Sequence, residues 1–167
     1  MTASRMTPLR SLSICFLGTF LLLTPTLSAQ TLQIVDAEGH SSTLTAAQIA
    51  NLPHVKVDTS DHDTPTQFEG VPLSSVLSSA GIQLGDALRG PRLAEALLAE
   101  AADGYKVVFA LAEVDSAFAP REIILADKRD GKALDAKQGP FRLVAPGDKR
   151  PARWVRQVTE LKIVGVK

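Results

Sequence analysis

Thiol chemistry is almost missing from this chain. There is one cysteine, Cys15, in a sequence of 167 residues. It sits in an apolar N-terminal stretch, and the rest of the chain has no disulfide, thiol nucleophile or thiolate metal ligand of its own. Tryptophan and tyrosine also occur once each, as Trp154 and Tyr105. Several catalytic signatures are absent: the G-x-S-x-G elbow, the G-x-G-x-x-G dinucleotide loop, the phosphate-loop lysine motif and H-E-x-x-H. Their absence excludes the commonest hydrolase, nucleotide and zinc-peptidase chemistries. Charge of one sign is lacking too, with 18 basic residues against 18 acidic ones. Nothing in that balance points to nucleic acid or to an anionic membrane surface.

The N-terminus is organised for targeting. Arg5 and Arg10 precede an apolar run from Ser11 to Leu23, and Leu27-Ser28-Ala29 offers small residues at a cleavage point. This pattern is that of a secretory signal peptide over residues 1–29, and the run is too short to span a bilayer comfortably. The other reading is an uncleaved anchor. Cys15 precedes most of the run, a poor place for a lipid anchor, and the paired arginines of a twin-arginine signal are missing. The expected product is a periplasmic or secreted domain of residues 30–167. It would have no membrane attachment after cleavage, and any cofactor would be acquired outside the cytoplasm. Removal of Arg5 and Arg10 leaves a slight acidic excess.

The remaining chain reads as many short strands mixed with short helices, a single α+β domain. Thr31–Val35 alternates as a strand, Asp36–Gly39 turns, and Ser42–Leu44 returns as a hairpin. Thr45 and Gln48 have capping-box spacing for a short helix ended at Pro53. His54–Val57 is a strand, Thr59–Pro65 a polar loop, and Thr66–Glu69 a second strand. Gly70-Val71-Pro72 turns into a helix ended by Gly81. Pro91–Ala101 has helical composition. Tyr105–Leu111 and Glu122–Ala126 are strands separated by a helical turn. Phe141–Ala145 and Val158–Val164 are expected to pair as closing strands, burying Phe141, Leu143, Val158, Leu161 and Ile163.

Two regions could carry chemistry. Asp58–Asp63 gathers oxygen ligands around His62. A calcium loop needs glycine where Asp63 stands, and a zinc site needs His54 and His62 to converge with a carboxylate. A solvated, mobile loop and a wall of an organic-ligand pocket are the other readings. The second region is the densest in cations: Lys149, Arg150, Arg153 and Arg156, with Arg142 upstream. Arginine forks match carboxylate or phosphate, and Trp154 could stack on a flat ring. The alternative is a solvated charged face. Tyr105 could turn its hydroxyl into a pocket or be a buried structural tyrosine. Arg89 either lines that pocket or faces solvent.

Three segments carry a resemblance. They are Phe68-Glu-Gly-Val-Pro-Leu73 with Ala80-Gly81, then Ala102-Asp-Gly-Tyr-Lys-Val107. The third runs from Gly131-Lys132-x-Leu134 through Gly139-Pro140-x-Arg142-Leu143-Val144-x-Pro146-Gly147 to Arg153-Trp154-Val155. In this order they resemble the sulfite-oxidase-type molybdopterin-binding domain. The resemblance implies that fold, a molybdopterin cofactor, and ligand contacts for Arg142 and Arg153, with Arg153 where the family often has lysine. It also implies a protein cysteine thiolate on molybdenum, near the position of Asp58 and Thr59 here. A carboxylate or hydroxyl is not equivalent to that soft ligand.

The expected function is therefore that of an exported, non-catalytic pocket module without stoichiometric molybdenum. It would bind a small anionic or pterin-like ligand, or a protein partner, through Asp58, Thr59, Arg89, Tyr105, Arg142, Arg150, Arg153 and Trp154. Two alternatives stay open: an active oxidoreductase whose metal is held mainly by the pterin, with Asp58 as an oxygen ligand, and a structural or sensory partner subunit. N-terminal sequencing of exported protein is expected to start at or within a few residues of Gln30. Retention of Met1 would contradict export by cleavage.

Overall fold

Thr31–Val35 alternates Leu32 and Ile34, both buried, with exposed Thr31 and Gln33, and forms β1. It turns at Asp36–Gly39 and returns as β2 (Ser41–Thr45), antiparallel to β1. These elements begin a computed structural model that describes residues 30–165; the expected signal segment, residues 1–29, lies outside the described residues. The capping box is present. Thr45 Oγ1 accepts from the Gln48 amide while Gln48 Oε1 accepts from the Thr45 amide at 2.8 Å, starting α1 (Ala46–Ala50).

The expected strand after His54 is present, but the expected polar loop Thr59–Pro65 is strand on both sides of a tight turn. β3 (Val55–Asp61) and β4 (Thr64–Pro72) form a hairpin turned by His62 and Asp63, with φ of 52° and 64°. Two consecutive positive φ values are those of a tight hairpin turn that matches the twist of its strands. Polar side chains concealed a period of two: Val55, Val57, Thr59 and Asp61 share the inner face, and Lys56, Asp58 and Ser60 are exposed. β4 runs straight into α2 (Leu73–Ser79), which buries Leu73, Val76 and Leu77.

The expected helix at Pro91–Ala101 is also corrected. A 3₁₀ turn (Gly90–Ala94) leads into β5 (Glu95–Ala101). Helix propensity is a weak preference that tertiary context overrides. Here β5 is flanked on both sides by strands and buries Leu97, Ala99 and Ala101 at every second position. The chain continues through β6 (Lys106–Ala110), α3 (Leu111–Val114), β7 (Ile124–Arg129), β8 (Lys132–Ala133), β9 (Arg142–Val144) and β10 (Val158–Gly165).

Two sheets enclose one core. The first has the order β2-β1-β10-β5-β6, with β1 and β10 parallel and its other pairs antiparallel. The second is β3-β4-β7-β8, with β9 also on β7. This is the expected α+β domain. The closing strands, however, do not pair as a ladder: β9 belongs to the second sheet and β10 to the first. They are stitched where the Val158 amide donates to the Phe141 carbonyl at 3.0 Å and the Leu143 amide to the Val155 carbonyl at 2.8 Å. Phe141, Leu143, Val158, Leu161 and Ile163 are nonetheless all buried in the shared core. No helix among the described residues is long and apolar enough to cross a membrane.

Gly70 marks the closest approach inside the second sheet. Register shifts between Glu69 and Gly70, and a Cβ on Gly70 would overlap the Leu125 carbonyl and Ala126 Cα. Backbone cannot yield there as a flexible side chain can. Gly70→Ala is expected to cost about 3 kcal/mol or more, and Phe141→Ala about 3–5 kcal/mol, in urea melts. A loss under about 1 kcal/mol for either would contradict this packing.

Candidate functional site

The inner-face parity of β3 carries a carboxylate into the junction between the two sheets. Asp61, the last residue of the strand, is 6% exposed. Facing it are Arg142, which opens β9, and Arg129, which closes the neighbouring β7. Arg142 Nη1 donates to Asp61 Oδ2 at 3.0 Å and to Gln138 Oε1 at 2.6 Å. Arg129 Nη1 reaches the same oxygen at 3.4 Å, and its Nη2 donates to Thr66 Oγ1 at 3.3 Å. Asp61 Oδ1 pairs with His62 Nδ1 at 2.8 Å.

Aromatic rings hold these cations. The Arg142 guanidinium lies 5.0 Å from the Phe68 ring centre and 5.5 Å from that of Trp154, while Arg129 is 5.8 Å from Phe68. Phe68 and Trp154 meet edge to face at 5.8 Å. Burial by itself would raise the Asp61 carboxyl. The hydrogen bond and charge of Arg142, with His62 and Arg129, outweigh burial and hold it below the usual carboxylate range.

Above this cluster opens a cleft of about 560 Å³. Its walls come from Asp61 and His62, the β5–β6 turn with Asp103 and Tyr105, then Asp135, Lys137 and Gln138, and Pro151, Ala152 and Trp154 with Arg156. Tyr105 is neither buried nor idle. It is 49% exposed, and its hydroxyl donates to the Ala152 carbonyl at 2.7 Å, bracing one wall. Trp154 does not offer a free stacking face. It is 4% exposed, its Nε1 donates to the Ala145 carbonyl at 2.9 Å, and Phe68 and Arg142 cover the ring.

Several expected site residues lie elsewhere. Arg153 is not among the side chains lining the cleft. Asp148 grips it at 2.9 and 2.7 Å and Glu113 at 3.1 Å, and its guanidinium lies 4.5 Å from the Phe109 ring centre. The Asp148 hydrogen bond leads the effects that push its pKa far up, against the opposing pull of burial. Asp58 faces outward and accepts from Gln67 Nε2 at 2.8 Å, so it is no oxygen ligand for the cleft. Thr59 and Arg150 line an adjoining depression. Arg89 is exposed and precedes the turn into the start of β5, whereas Ala101 at the far end of that strand touches the cleft.

The zinc reading fails because the two histidines occupy opposite ends of β3. His54 contacts the Leu52 carbonyl at 2.8 Å and Asp127 at 3.2 Å. The calcium-loop reading fails because Asp58–Asp61 is strand. The group Asp36, Glu38 and His40 is a turn in which half-buried Asp36 accepts from the Glu38 and His40 amides and pairs with the His40 ring. The residues missed by sequence reasoning are Asp61 as the central carboxylate, Arg129, Gln138 and Lys137. Parity along Val55, Val57 and Thr59 was the signal that could have found Asp61.

The model of the oxidoreductase molybdopterin binding domain matches residues 62–166. The chain belongs to this family. Its fold superposes on the sulfane dehydrogenase SoxCD from Paracoccus pantotrophus with a TM-score of 0.61 at 21% identity. The match covers 80% of this chain but 38% of that one, so the domain spans well under half of the longer protein's length. No curated protein matches.

The family implies a molybdopterin. The donor set of the cleft does not fit its metal. The one cysteine, Cys15, lies outside the described residues. The carboxylate at the cleft's base already has His62 on one oxygen and Arg142 and Arg129 on the other.

Breaking a buried pair leaves an uncompensated charge, so Asp61→Asn is expected to cost about 3–5 kcal/mol at pH 7. The folded-state pKa of Asp61 lies below the unfolded value. The pair therefore stabilises the fold above about pH 4, and that contribution is lost as acid protonates the carboxylate. Urea melts should show the wild-type advantage shrinking below about pH 4. An advantage that persists unchanged in acid would contradict the pairing.

Proposed function

We propose that this domain is an exported, non-catalytic pocket module of the molybdopterin-binding family, holding a small organic anion in its cleft without molybdenum. One observation carries the reading. The cleft keeps the arginine and tryptophan of the family motif, but its central group is the Asp61 carboxylate, with both oxygens engaged. A carboxylate is not equivalent to a soft thiolate donor, and Asp61 cannot turn to a metal without breaking the ion pair that supports the cleft.

Anion recognition then falls on the rim. Lys137 and Arg156 line the cleft, are exposed, and make no ion pair among the described residues. Asp103 and Asp135 accept local backbone amides, from Tyr105 and from Lys137 and Gln138, which ties them to their own turns. A carboxylate or phosphate seated between Lys137 and Arg156 gains charge-assisted hydrogen bonds. Gln138, whose Oε1 accepts from Arg142, adds a neutral donor through its Nε2, while the Tyr105 hydroxyl proton is committed to the Ala152 carbonyl. Export follows from the charged and apolar N-terminal segment, which supports acquisition of the ligand outside the cytoplasm.

The test combines metal analysis of protein purified from its own host with calorimetry against pterins, nucleotides and organic acids. Molybdenum well below equimolar is expected, with one anion class binding. Arg156→Ala is expected to weaken that binding by about 1.5–3 kcal/mol. Near-equimolar molybdenum would overturn the non-catalytic half. Absence of heat across the panel would overturn the ligand half and leave a protein partner as the function.

A further inference from the structure

A second depression, of about 720 Å³, adjoins the cleft and shares His62, Pro151 and Ala152 with it. Thr59 and Ser60 contribute hydroxyls on its β3 side, and Lys149 and Arg150 contribute cations opposite them. Both cations are exposed, and neither makes an ion pair among the described residues. The arrangement repeats that of the cleft, where Lys137 and Arg156 are the unpaired cations. Meanwhile the more central arginines are paired: Arg142 with Asp61, Arg129 with Asp61 and Asp130, and Arg153 with Asp148 and Glu113. Asp148 borders the second depression but is held by Arg153, which leaves Asp63 as the opposing carboxylate there.

We infer that the cleft and this depression form one bipartite site for an elongated ligand with an anionic group at each end. The inference rests on the anion-cleft reading and extends it to a class of ligand. The shared ridge suits a ligand that crosses it. Pro151 and Ala152 carry short side chains, and the third shared residue, His62, is an exposed imidazole tied to Asp61. The crest is also fixed, because the Tyr105 hydroxyl holds the Ala152 carbonyl and the Trp154 amide donates to the Pro151 carbonyl at 3.0 Å. Two cations on each side of a rigid divider reward a linear dianion more than two separate monoanions, since the second contact becomes intramolecular. That gain vanishes when the spacer cannot span the ridge, so length is the diagnostic variable.

Calorimetry on the mature protein with methylphosphonate and a series of linear α,ω-alkanediphosphonates tests this. One spacer length is expected to bind at least about tenfold tighter than methylphosphonate, with shorter and longer spacers weaker. Lys149→Ala/Arg150→Ala and Arg156→Ala should each bring that best diphosphonate to within about threefold of methylphosphonate. Thermal melts should show both variants folded, since all three side chains are exposed. Methylphosphonate binding without a length optimum would overturn the bipartite site and leave the cleft reading standing. A diphosphonate optimum unmoved by Lys149→Ala/Arg150→Ala would overturn it as well. Failure of every phosphonate to bind would overturn the bipartite site and count against the anion cleft together.

Discussion

The buried ion pair between Asp61 and Arg142 organises this molecule. It joins the end of β3 to the start of β9 across the second sheet, and the loop that follows β9 leads back into the first sheet. Two charges removed from water are tolerable only when their remaining hydrogen-bonding capacity is used. Here His62, Arg129 and Gln138 supply most of those partners, while Arg142 Nε is buried without one and the Phe68 and Trp154 rings flank the guanidinium instead. The base of the cleft is consequently a packed, polar wall.

Much of the fold was legible from residue patterns. The capping box at Thr45, the hairpin at Asp36 and the buried alternation in β1 and β6 are local signals, and they held because local and tertiary preferences agree. Pro91–Ala101 failed for the opposite reason. Its composition favours helix, but the sheet supplies two flanking strands, and only Leu97, Ala99 and Ala101 betray the period of two. The hairpin at His62-Asp63 was hidden because polar residues occupy a strand whose inner face ends in a charged cluster rather than in core.

The site was less legible than the fold, for a physical reason. A sequence shows where cations are, not which carboxylates they meet. Arg142, Arg150, Arg153 and Arg156 look alike in a basic run, yet two are neutralised by Asp61, Asp148 and Glu113 and two are exposed without ion pairs. The partners of Arg142 are 81 and 4 residues away along the chain. Trp154 likewise reads as a free ring in sequence and proves to be a covered wall. Family membership does not by itself say what the cleft holds, since the central group here is a carboxylate engaged by arginines.

Asp61 and Arg142 act as one coupled unit at the base of the cleft. A double-mutant cycle of Asp61→Asn and Arg142→Met, measured by urea unfolding at pH 7, tests that coupling directly. An interaction energy of about 2–3 kcal/mol is expected, with the double variant more stable than the sum of the two single losses implies. Additive losses, with coupling under about 0.5 kcal/mol, would contradict it.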